Sequence, residues 1–115
     1  MENILYNELR MRGYNVDVGT VNQRYIDKNT GSKLTRHLEI DFVANLGSKR
    51  YYIQSAFQLP DAEKVKQEKA SLLAMRDSFK KIIIVKEVIK PFQDEDGILT
   101  MGLFDFLQNA NSLEW

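Results

Sequence analysis

Ile82, Ile83, Ile84 and Val85 form an unbroken apolar run directly after Lys80 and Lys81. Four consecutive β-branched residues suit an extended segment covered on both faces, the usual state of a strand held between helical layers. Something must therefore pack above and below it. Upstream, Ala62, Val65, Leu72, Met75 and Phe79 recur at helical spacing after Pro60 and Asp61, and Asp61 is placed to cap that helix or load its first turn with negative charge. A helix leading into a doubly covered strand predicts a crossover that lays residues 82–85 parallel to an earlier strand.

The earlier strands are legible too. Residues 38–44 and 51–57 are rich in Ile, Phe, Val and Tyr, and Asn45-Leu46-Gly47-Ser48 separates them, so an antiparallel hairpin is expected. With the turn centred between Gly47 and Ser48, Ala44 faces Tyr51, Asp41 faces Gln54 and Glu39 faces Ala56. Strict alternation sends Leu38, Ile40 and Phe42 to one side and Glu39, Asp41 and Val43 to the other. Before the hairpin, Ile4, Leu5, Leu9 and Met11 give a helical pattern over residues 2–12, and Gly13 stands where a left-handed helix end wants glycine. Tyr14, Val16 and Val18 then alternate with polar residues up to Gly19, and a second extended piece with Val21 and Tyr25 leads into the turn formers of residues 27–33. After Pro91 and the acidic loop 94–97, residues 98–101 read as a short strand and 103–107 as a short helix. The expected class is α/β (α+β, mixed sheet), as one domain over residues 1–115.

Composition removes whole classes of function. Sixteen Lys and Arg balance sixteen Asp and Glu, and 43% of residues are hydrophobic, which describes an ordinary globular chain and argues against a non-specific DNA coat protein. Without cysteine there is no disulfide, thiolate zinc site or thiol nucleophile, and the single His37 is too few for a histidine-rich metal site. No run of about 18 apolar residues exists, and residues 1–12 lack a signal peptide's pattern, so a cytoplasmic protein with no membrane contact is expected. Arg24, Lys28, Lys33, Arg36 and His37 make residues 24–37 the most cationic stretch. The loop 94–96 lacks the alternating ligands of a calcium loop and reads as a solvated turn, and the lysines of 86–90 suit a protected sheet edge better than an oligomer contact.

Four polar residues fall on stripes that should be apolar. Glu8 follows Ile4 and Leu5 on the inward stripe of the first helix, where it either pairs with Arg12 at i+4 or needs a partner from elsewhere. Asp41 interrupts Ile40-Phe42-Val43 in mid-strand, opposite Gln54, and reads either as part of a solvent-facing stripe or as a site residue. Glu68 and Lys69 lie between Val65 and Leu72 on the second helix, where either could reach the Asp41 region, within a mixed-charge segment that otherwise suits a solvated face.

In order along the chain, residues 2–9 (ENILYNEL), 12–16 (RGYNV), 39–44 (EIDFVA), 52–56 (YIQSA), 96–98 (DGI) and 104–107 (FDFL) resemble the C-terminal domain of unknown function of prokaryotic AAA-type ATPases. That domain is similar to the PD-(D/E)XK nuclease superfamily, whose restriction-endonuclease-like core runs helix, three-stranded meander, helix, strand. The resemblance implies an AAA-type ATPase domain as partner, in the same or another chain, and this chain has no GxxxxGK[ST] loop with which to hold ATP itself. Active members use a helix acid, a strand Asp and an acid-x-Lys pair to hold Mg²⁺ and orient water, because hard oxygen ligands suit that ion and the ion acidifies the water. Carried over by motif, the metal ligands and catalytic positions are Glu8, Asp41 and Gln54, with Ala56 where the lysine belongs and Lys69 as the candidate substitute. The pattern is degenerate. It implies a module that binds a partner or nucleic acid with weak or no catalysis; the alternative is a Mg²⁺-dependent DNA endonuclease with a migrated lysine.

Overall fold

Six strands form one mixed sheet in the computed structural model, which describes residues 1–56 and 69–115. The chain begins with α1 (Glu2–Met11), β1 (Asn15–Ile26), β2 (Lys33–Leu46) and β3 (Lys49–Ala56). Then come α2, helical over residues 69–74, and β4 (Lys80–Val85), β5 (Phe92–Gln93), β6 (Leu99–Gly102), α3 (Leu103–Gln108) and a 3-10 turn, Ser112–Glu114. The strands lie in the order β1-β2-β3-β4-β6-β5. The expected meander is antiparallel throughout, and β4 lies parallel to both β3 and β6, as a doubly covered strand requires. The expected helix beginning at Asp61 falls in part on residues outside those described, 61–68; its described part stops at 74, and Phe79 stands outside it, edge-on to Tyr52 at 6.4 Å between centroids.

Two apolar clusters sandwich the sheet. Leu5 and Leu9 of α1 and Leu103 and Phe106 of α3 pack with Phe42, Ala44, Tyr51, Ile53, Ile82, Ile84 and Met101 on one face. Leu72 of α2 packs with Ile40, Tyr52, Ile83, Val85 and Ile98 on the other. Ile82 to Val85 thus alternate between the two cores, each buried side chain contributing roughly 1.5–3 kcal/mol. Ile4, expected on the inward stripe of α1, is half exposed, so Leu5 and Leu9 alone carry the packing of that helix.

α1 ends as its sequence demands. Gly13 takes φ 95°, the Gly13 N–H donates to the Arg10 carbonyl, and the Tyr14 N–H donates to the Leu9 carbonyl, which together close a Schellman cap. The β2–β3 turn also follows expectation: Gly47 has φ 60°, and Ala44 pairs with Tyr51. The extended pieces on either side of Gly19 are one continuous strand of 12 residues.

β2 departs from strict alternation. Asp17 pairs with Val43 but Gly19 pairs with Ile40, so Asp41 and Phe42 together oppose the single residue Val18. This is a β-bulge, and it shifts the facing of β2 by one residue. Ile40 therefore packs on the α2 face while Phe42 packs on the α1 face, correcting the expectation that both point the same way. Gly19 makes the bulge possible, because a Cβ there would stand 2.7 Å from Val43 Cγ2 and 3.2 Å from Ile40 Cβ.

Candidate functional site at the β2–β3 splay

The backbone ladder between β2 and β3 ends at Phe42 and Ile53. Beyond it, a side chain replaces the ladder. The Asp41 N–H donates to Gln54 Oε1 at 2.7 Å, and Gln54 Nε2 donates to the Glu39 carbonyl at 3.0 Å. Gln54 is 4% exposed, so its carboxamide acts as a buried brace across the opening strands, satisfying groups that would otherwise be unpaired.

Asp41 and Gln54 are neighbours, but the bulge places their side chains on different faces. Tyr52 and Ala56 face α2, and Gln54 belongs to that series; Asp41 turns to the α1 side. There its Oδ2 accepts the Ser55 N–H at 2.8 Å and the Ser55 hydroxyl at 2.9 Å. The same hydroxyl lies 3.4 Å from Glu2 Oε1, beside an open pocket of about 370 Å³ lined by Met1, Glu2, Asn3 and Ser55. The observed polar group is thus Asp41, Ser55 and Glu2. Alternation alone hides it, because Ser55 faces away from Asp41 in a regular hairpin; a bulge signal in Gly19 would have been needed to find it.

Glu8 is engaged elsewhere. Its Oε1 accepts from Arg12 Nε at 3.0 Å, and both side chains are largely buried. Arg12 also donates to Ser112 Oγ at 3.1 Å, to the Asn109 carbonyl at 3.0 Å and to the Phe106 carbonyl, with its guanidinium 4.4 Å above the Phe106 ring. Six residues separate Glu2 from Glu8, about 9 Å along the helix and about 240° around it, so the two acids serve different neighbourhoods.

Lys69 does not point its ammonium at Asp41. It sits 2.6 Å from Asp96 Oδ2 and 3.1 Å from Asp94 Oδ2, binding α2 to the loop before β6. The hydrogen bond that the Lys69 ammonium donates to Asp96, with Asp94 beside it, raises the Lys69 pKa against the opposing effect of burial. Burial pushes the Asp94 carboxyl up, but the Ile98 N–H, the Lys69 ammonium and the Asp96 N–H outweigh it and hold the group below its ordinary value. The loop read as a solvated turn is therefore an anchored one.

Among the described residues, no three His, Asp or Glu side chains group closely enough to hold a metal ion. The donors themselves explain why Mg²⁺ fits poorly: Gln54 Oε1 is turned to a backbone N–H, Glu8 is ion-paired, and Asp41 Oδ2 accepts two hydrogen bonds. An octahedral ion wants several hard oxygens converging on one point, and this arrangement spends them separately. Ala56, which the resemblance would set in the lysine position, packs against the α2-side core.

No family model matches the chain. An uncharacterized protein of Haemophilus influenzae is 33% identical over 107 residues, which cover 93% of this chain and 22% of that protein. The chain therefore spans about a fifth of the relative's length. Among the described residues, no helix is long and apolar enough to cross a membrane.

Proposed function

We propose that this chain is a PD-(D/E)XK-like module that holds nucleic acid without cutting it, on behalf of an AAA-type ATPase domain in the same or another chain. The element order of helix, antiparallel meander, helix and parallel strand is compatible with that kinship. The observation that carries the reading is the Gln54 brace. Where an active nuclease would offer a second acid to the metal, this chain has a carboxamide bonded at both ends to the backbone of β2. With Ala56 two residues on, neither the negative charge nor the ammonium of the hydrolytic pair is available. The partnership with an ATPase rests on the resemblance, and the length of the Haemophilus relative leaves ample room for further domains.

The decisive experiment titrates Mg²⁺ and Mn²⁺ into the protein and into Asp41→Ala by calorimetry, then incubates both with linear and plasmid DNA. We expect no stoichiometric uptake and no strand cleavage by either, with DNA retarded equally by both in gel-shift assays. Cleavage that Asp41→Ala abolishes would establish the Mg²⁺-dependent endonuclease instead.

A further inference from the structure

From the Gly19–Ile40 pair to the Ile26–Lys33 pair, β1 and β2 run as a two-stranded ribbon past the end of the β2–β3 ladder. Eight cross-strand pairs make it about 25 Å long. Between Asn22 and His37 it holds four of the chain's sixteen cations and one of its sixteen acids, so it carries +3 and leaves −3 to everything else. That acid, Asp27, is occupied in the turn, where its Oδ1 accepts the Asn29 N–H at 2.9 Å.

The two faces of the ribbon differ. On the α2 side, Gln23 is half-buried, and Arg36 lies 4.6 Å above the ring of Tyr25. By the pairing register, Asn22, Arg24, Ile26, Lys33, Thr35 and His37 share the α1 side and are all exposed. Asn22 and Arg24 also border an open pocket beside Leu73, Ala74 and Arg76, and neither Arg24 nor Lys33 pairs with an acid among the described residues. The polar contact on that face joins His37 Nδ1 to Asn22 Oδ1 across the strands. Glu39 and then Asp41 close the face at its root.

We infer that this α1-side face of the ribbon is the contact surface for the phosphate backbone of duplex DNA, with Arg24 and Lys33 as the principal phosphate contacts and Lys28 at the turn. The inference rests on the nucleic-acid reading above and names the surface and the form of nucleic acid. Cations without an acidic partner among the described residues, grouped on one ribbon of a net-neutral chain, supply charge complementarity where the rest of the molecule repels a polyanion. The face has no aromatic ring, and Tyr25 lies on the other side beneath Arg36, so the stacking platforms that single strands require are absent among its described residues. A two-stranded ribbon is also narrow enough for the major groove, about 12 Å wide.

The test measures anisotropy of a fluorescent 30-base-pair duplex from 50 to 200 mM NaCl, with the wild type, Arg24→Ser/Lys33→Ser and the distant control Lys90→Ser. We expect the double variant to lower the slope of log K against log salt by about two, and Lys90→Ser to leave it unchanged. Acetic anhydride footprinting of the unaltered protein gives an independent readout, in which duplex protects Lys28 and Lys33 but not Lys90. No binding by the wild type to any nucleic acid would overturn the functional reading and this surface with it. Duplex binding with an unchanged slope in the double variant and unprotected ribbon lysines would overturn the surface alone, and tighter binding of the matching single strand would overturn the duplex assignment.

Discussion

The two ends of α1 each carry an acid, and the structure uses them in opposite ways. Near the C-terminal end, Glu8 is paired with Arg12, and Arg12 continues into Ser112, Asn109 and Phe106, so the acid belongs to a knot that fastens α1 to the end of the chain. At the N-terminal end, Glu2 is exposed and, among the described residues, reaches the Ser55 hydroxyl, beside Asp41 and an open pocket. An inward-facing acid is so costly to leave unpaired that the fold supplies a cation, and the cation then removes the acid from chemistry. The exposed acid, which water can solvate, is under no such compulsion.

Substitutions can break this contrast. Arg12→Ala should cost about 3 kcal/mol in urea unfolding, because it strips a mostly buried carboxylate of its partner and removes one donor each from the Phe106 and Asn109 carbonyls. A loss below that of any Glu2 substitution would show that the knot at Glu8 holds nothing.

Next in size is Gln54→Leu, for which about 2 kcal/mol is expected, since the Asp41 N–H and the Glu39 carbonyl would lose their partner where the strands part. Hydrogen exchange at the Asp41 amide should accelerate in that variant, and an unchanged rate would mean the ladder closes without the brace.

Lys69→Met extends the comparison to a second absorbed cation, with an expected cost of about 1 kcal/mol for a partly exposed pair. Asp94 is held below its ordinary carboxylate range, so its contribution is complete above about pH 4 and disappears as the pH falls through the depressed folded value. The Lys69 ammonium is held above its ordinary range, so its contribution is complete below about pH 10 and disappears as the pH rises through the raised folded value. The difference in urea midpoint between wild type and Lys69→Met should therefore be flat between those limits and shrink outside them.

The smallest effect belongs to Glu2→Gln, expected within about 0.5 kcal/mol of wild type by the same unfolding assay, as for an exposed side chain with one long hydrogen bond. A larger loss would place Glu2 among the structural acids and erase the distinction between the helix ends.

Much of this was legible residue by residue. The Gly13 cap, the Gly47-Ser48 turn, the pairing of Ala44 with Tyr51 and the burial of Ile82 to Val85 all stand as the sequence predicts. Each is a local matter, fixed by a glycine's φ or by the run of apolar residues. The Glu8–Arg12 pair was one of two arrangements open to Glu8, and its i+4 spacing is again local. Lys69 was harder, because its partners Asp94 and Asp96 come from a loop that sequence composition assigns to solvent. The two-residue strand β5 was not legible at all; Phe92 and Gln93 are too short a run to show any period.

By itself, then, the sequence determined the longer elements, the antiparallel hairpin with its register near the turn, the parallel placement of β4, and the absence of a lysine two residues after Gln54. Only the tertiary structure decided which side chains meet. The bulge at Asp41 and Phe42 depends on Val43 and Ile40 closing over the bare backbone of Gly19, a contact between strands that alternation along either one does not encode. Because side-chain facing in a strand has a period of two, that single extra residue carries Asp41 from the face of Gln54 to the face of Ser55 and Glu2.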